Sequence, residues 1–158
     1  MSACRALAIR LTALSLAIAA TSVASNASSD ADREATAMRA CAHAMSVRSN
    51  SAQTVALDRQ IVASCKPVIP FSQAALKVET DAQKRSGFRV DIVMAHGFVL
   101  NAYAELKDPK DVKQEAQALL ASAKSVSSSD IAVVSRQAPN TQAIFNQFVS
   151  QAKGLVGK

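Results

Sequence analysis

The sequence predicts an α+β protein: a small antiparallel sheet, formed by a hairpin and a closing strand, packed by amphipathic helices. A disulfide-braced helical hairpin precedes it. Three observations lead there. Phe88, Val90, Ile92 and Met94 alternate with Arg89, Asp91 and Val93, and after His96-Gly97 the residues Phe98, Leu100, Ala102 and Ala104 alternate with Val99, Asn101 and Tyr103. That period of two, broken by a glycine, is the pattern of a hairpin. Val112, Ala116, Leu119, Leu120, Ala123 and Val126 fall on one third of a helical circumference. Cys41 and Cys65 lie on two separate helical patterns. The alternative is an all-α bundle, because Phe88, Ile92, His96, Val99 and Tyr103 would share one face of a helix.

Taken in order, residues 1–27 form a secretory signal peptide. Arg5 and Arg10 precede an apolar core, Leu11 to Ala20, and small residues then offer cleavage after Ala24 or Ala27. Cys4 lies before that core, so it is not placed to accept a lipid. Removal of the segment lowers the net charge from +6 to +4, too mild a balance for nucleic-acid binding without a basic-aromatic motif. No later stretch is long and apolar enough to span a bilayer. The expected location is periplasmic or secreted, where disulfides persist. The remaining residues, 28–158, are expected to form a single domain. Apolar residues make up 49% of the chain, but 32 of them are alanines, which leaves large side chains for one modest core.

Within that domain, residues 28–66 read as a helical hairpin. Ala31, Ala35, Met38, Cys41 and Met45 follow helical spacing, as do Leu57, Ile61 and Cys65. Level residues of an antiparallel pair are equidistant from the turn. A Cys41–Cys65 bridge therefore centres the connection on Gln53, with Thr54 as the next helix's cap. Pro67 and Pro70 bracket a short connector, Val68-Ile69. Ser72 then opens a helix from Gln73 to Arg85, stopped by Ser86-Gly87, with a strand over Leu76 to Thr80 as its rival. After the hairpin, Asp108 caps a helix with Pro109 in its first turn. Ser127 to Asp130 reads as a loop, Ile131 to Val134 as the closing strand. Pro139-Asn140 starts a last helix with Ile144, Phe145, Phe148, Ala152 and Leu155 in its stripe.

The run Phe88-Arg89-Val90-Asp91-Ile92-Val93, the turn at Gly97, Phe98-Val99-Leu100-Asn101-Ala102, the helix Val112 to Val126 and the strand Ile131-Ala132-Val133-Val134 resemble the BON domain of bacterial envelope proteins. The resemblance covers residues 87–134. Residues 71–158 would then be a BON-like core plus a C-terminal helix. Ala102 stands where that family usually has glycine, and Ser128-Ser129 where it has Gly-Val. The resemblance implies a non-enzymatic envelope module, associated with phospholipid or envelope stability, without a catalytic constellation.

Motifs for chemistry are few. Met38, Cys41 and Met45 share a helix side that His43 does not, so no metal site is expected. His96 reads as a turn residue. No phosphate loop, zinc-protease motif or nucleophile elbow occurs, and no cofactor is expected. The candidate contact residues are Lys110, Lys113 and Lys124, which cluster on the helix face opposite the apolar stripe. Their partner would be an anionic lipid surface or an envelope protein, and the leading function a non-enzymatic binding or stress-protection module. A secreted inhibitor or immunity-type protein that neutralises an enzyme is the alternative.

Overall fold

The structure, a computed structural model, describes residues 30–157. The signal-peptide expectation falls outside them. Every regular element among the described residues is a helix. The α+β class is therefore corrected to the alternative, an all-α bundle. In chain order the elements are α1 (30–49), α2 (Val55–Cys65), α3 (Val68–Val78), α4 (Ala82–Glu105), α5 (Pro109–Ala123), α6 (Ser128–Ser135) and α7 (Thr141–Val156). None of the described helices is long and apolar enough to cross a membrane.

The central element is α4, and it swallows the expected hairpin whole. On one side Ala95, Val99 and Ala102 pack with Ala37, Cys41 and Ala44 of α1, Ile61 and Cys65 of α2, and Val68 of α3. On the other, Val90, Val93 and Leu100 pack with Ala116 and Leu119 of α5, Ile131 of α6, and Phe145, Phe148 and Ala152 of α7. At 100° per residue these two sets lie about 180° apart. Each stripe repeats every 3.6 residues, so two opposed stripes interleave with an apolar residue every 1.8. That spacing imitates the two-residue alternation of a strand. The helix is apolar on opposite faces because it is buried on both.

Gly97 is accordingly not a turn residue. A Cβ built there would collide with the Phe148 ring, with Cε2 only 2.5 Å away. The glycine lets α7 lay that ring on the α4 backbone. Phe98 meets the same ring edge-on, with centroids 5.3 Å apart.

The N-terminal brace follows the sequence reading. Cys41 and Cys65 are joined as a disulfide, Cα atoms 4.5 Å apart. The connection runs over residues 50–54, and the Thr54 hydroxyl accepts from the Leu57 amide. The expected connector Val68-Ile69 is instead the first turn of α3. Pro70 is tolerated there because first-turn amides have no intrahelical acceptor.

The expected helix from Gln73 to Arg85 is split, and its end is not at Ser86-Gly87. Its break falls at Glu79–Asp81 because that corner satisfies itself. Glu79 Oε1 accepts from the amides of Thr80 and Asp81, and Asp81 accepts from the Lys84 amide to start α4. Arg85 donates to the carbonyls of Leu76 and Glu79, closing the C-terminus of α3. Ser86, Gly87 and the expected strand residues after them continue the helix.

The chain leaves α4 through a Schellman turn. Lys107 has φ 55, and the amides of Lys107 and Asp108 donate back to the carbonyls of Ala104 and Tyr103. Asp108 then caps α5 as the sequence indicates. The closing strand is corrected to α6. Ser127 and Asp130 form a reciprocal capping box, so the expected loop is a cap and a first helical turn. Asp130 also accepts from Ser86 and Arg89 of α4. Burial alone would raise this carboxyl. The hydrogen bonds from Ser86 and Ser127 and the Arg89 charge outweigh it and hold the group well below the usual carboxylate range.

Candidate functional site

A groove of about 680 Å³ opens between the α2–α3 corner and the α4–α5 pair. Val62 and Ala63 of α2, Pro67, Ile69 and Pro70 at the start of α3, and Ala118 of α5 form its apolar walls. Pro67 is responsible for the corner. It ends α2, and the chain re-enters helix at Val68, so two short helices flank one side of the groove.

Six polar side chains complete the lining: Lys66, His96, Tyr103, Asp111, Gln114 and Glu115. His96 and Tyr103 are seven residues apart on α4 and so share a face, about 10 Å from one another along the axis. His96 Nδ1 lies 2.5 Å from Glu115 Oε1, and both side chains are less than a tenth exposed. The imidazole has no other hydrogen-bond partner among the described residues, and its ring lines the groove.

At the other end Lys66 Nζ donates to the Tyr103 hydroxyl at 3.3 Å and lies 5.7 Å from the ring centroid. That hydrogen bond raises the Lys66 pKa. The negative charges of Glu115 and Asp111 act in the same direction, against a smaller opposing effect of burial.

The antiparallel course of α4 and α5 fixes the order of these groups. Glu115 is level with His96, so Asp111 is one turn, about 6 Å, nearer the α4–α5 connection and hence nearer Tyr103. The groove therefore has a charged mouth at Lys66, Tyr103 and Asp111, and a buried histidine–carboxylate pair further in. No Ser, Thr or Cys lines it.

A second hollow, about 530 Å³, lies between the start of α4 and α6, with Asp91 in its wall. Burial and then the charge of Glu34 push the Asp91 carboxyl up to about 7. Glu34 itself is raised by burial, although Ser72 donates to it at 3.5 Å.

The structure does not bring the sequence-derived lysines to the groove. Lys110 and Lys113 are exposed on α5, and Lys124 is exposed at its C-cap. They occupy an arc roughly a third of a turn from the stripe of Asp111, Gln114, Glu115 and Ala118. Met38 and Met45 pack into the core beside Cys41, while His43 faces outward. The β elements that carried the BON resemblance are helical, so nothing of that domain's sheet transfers to this chain.

Sequence reasoning missed the groove because it placed His96 in a turn. Two signals pointed there. The helical alternative put His96 and Tyr103 on one face, and Glu115 is a carboxylate flanked by Val112, Ala116 and Leu119 on the apolar side of α5. Comparison of the chain with protein-family models, curated proteins and solved structures finds no match.

Proposed function

We propose that the mature chain is an exported, non-enzymatic binding module of the envelope, periplasmic or secreted, which takes the apolar part of an amphipathic ligand into the α2–α5 groove. The groove itself carries this reading: its size is that of a small-molecule site, Val62, Ala63, Pro67, Ile69, Pro70 and Ala118 give it apolar walls, and its polar side chains include the Lys66–Tyr103 and His96–Glu115 pairs. The two helical turns separating His96 from Tyr103, and a lining without Ser, Thr or Cys, favour holding over reacting. The Cys41–Cys65 disulfide accords with export. The exposed arc of Lys110, Lys113 and Lys124 offers a contact with an anionic surface that leaves both core and groove undisturbed.

Fluorescence of a neutral apolar dye, N-phenyl-1-naphthylamine, tests the groove. Binding is expected to the parent and to be lost in Ala63→Trp, which fills the groove from an exposed position without altering the melting temperature. Dye binding that is absent from the parent, or equal in the variant, would overturn the assignment. For the lysines, exchange of all three for Gln is expected to leave folding unchanged and to weaken pelleting with anionic vesicles. Undiminished pelleting would remove them from the reading.

A further inference from the structure

The charges at the groove mouth say more about the ligand than its walls do, and the inference rests on the groove being a binding site. Lys66 supplies an ammonium whose position is set by the Tyr103 hydroxyl. Asp111 supplies a carboxylate, half-buried in the first turn of α5. Both face the same opening, yet they form no ion pair with one another, and neither has another oppositely charged partner within 4 Å among the described residues. Deeper in, Glu115 is engaged by His96. Two separated charges of opposite sign, left unpaired beside an apolar groove, complement a head group that carries both signs itself. A purely anionic head would gain Lys66 but meet the carboxylate of Asp111, and a purely cationic head would meet Lys66.

We propose that the groove binds a single-chain zwitterionic amphiphile: an anionic phosphate on Lys66 and Tyr103, an ammonium on Asp111, and the hydrocarbon chain along Val62, Ile69 and Ala118. Lysine is suited to phosphate as a compact point charge with three donors, of which Tyr103 engages one.

The test is displacement of N-phenyl-1-naphthylamine from the mature protein by three amphiphiles of equal chain length, each below its micelle concentration. These are lysophosphatidylethanolamine, lysophosphatidylglycerol and an alkylammonium. The zwitterionic compound is expected to displace the dye at about tenfold lower concentration than either singly charged one, the worth of one charge-assisted contact. Lys66→Gln should weaken the zwitterionic and anionic competitors but not the cation. Asp111→Asn should weaken the zwitterionic and cationic ones but not the anion. Equal displacement by all three, or a ranking that neither variant changes, would overturn the head-group assignment while the groove remains a site. Failure of the parent to bind the dye, or equal binding by Ala63→Trp, would overturn the groove reading and this inference together.

Discussion

Gly97→Ala separates local preference from packing, because the two act with opposite signs. In the interior of a helix, alanine is favoured over glycine by about 1 kcal/mol, so propensity alone makes the variant more stable. In the folded protein the new methyl falls within the contact radius of Phe148 Cγ, Cδ2 and Cε2. Cγ lies on the axis about which the ring turns, so rotation of the ring cannot relieve the collision. Translation is opposed as well, since Phe148 is only 3% exposed and its ring is held against Phe98. Relief requires α7 to move off α4, an overpacking cost at the upper end of the usual 1–3 kcal/mol. The expected net effect is a loss of about 2 kcal/mol, read as a lower urea midpoint at unchanged slope. In a Phe148→Ala background the obstruction is gone, and Gly97→Ala should then stabilise by about 1 kcal/mol, a coupling of about 3 kcal/mol between the sites. A Gly97→Ala variant that gains stability in the parent background would refute the close approach of α4 and α7.

Asp91 gives the fold a pH dependence. Its folded-state pKa of about 7 exceeds the ordinary 3.8, so the folded state holds the extra proton and stability falls as pH rises from about 4 to about 7. The full shift corresponds to about 4 kcal/mol. Asp91→Asn should therefore flatten this slope and stabilise the protein at pH 8, by about half that amount since the group borders an open hollow; an unchanged thermal profile across pH 4 to 8 would count against it. Lys107→Gly removes a side chain from a left-handed position and should add about 1 kcal/mol in chemical denaturation, whereas a loss would show that Lys107 makes contacts outweighing its strain. Replacing Cys41 and Cys65 with Ala opens a loop of 24 residues and should cost roughly 3 kcal/mol; no free thiol should titrate in the unreduced mature chain, from which Cys4 has been removed with the signal peptide.

What the sequence made legible depended on whether a residue answers to its neighbours in the chain or to the rest of the fold. Thr54 and Asp108 cap helices through hydrogen bonds made within three residues, and Cys41–Cys65 obeys the geometry of a simple hairpin. These are local facts, and the local reading found them. The capping box of Ser127 and Asp130 was equally local, written as Ser-x-x-Asp ahead of an apolar run. The β-branched residues Ile131, Val133 and Val134 that follow it mimic a strand. β-Branching is a weak preference that tertiary packing overrides. The hairpin error was of another kind. A helix that touches water on one side displays its period, since the polar residues mark the gap between turns. Helix α4 has cores on both sides, so Val90, Val93 and Leu100 fill the gap that Ala95, Val99 and Ala102 leave. Its signature is thereby erased in the one element that organises the rest. The groove inherits this illegibility. Its histidine lies on α4 and its glutamate on the inner side of α5, nineteen residues on, and only the packing of those two helices shows that each is the other's partner.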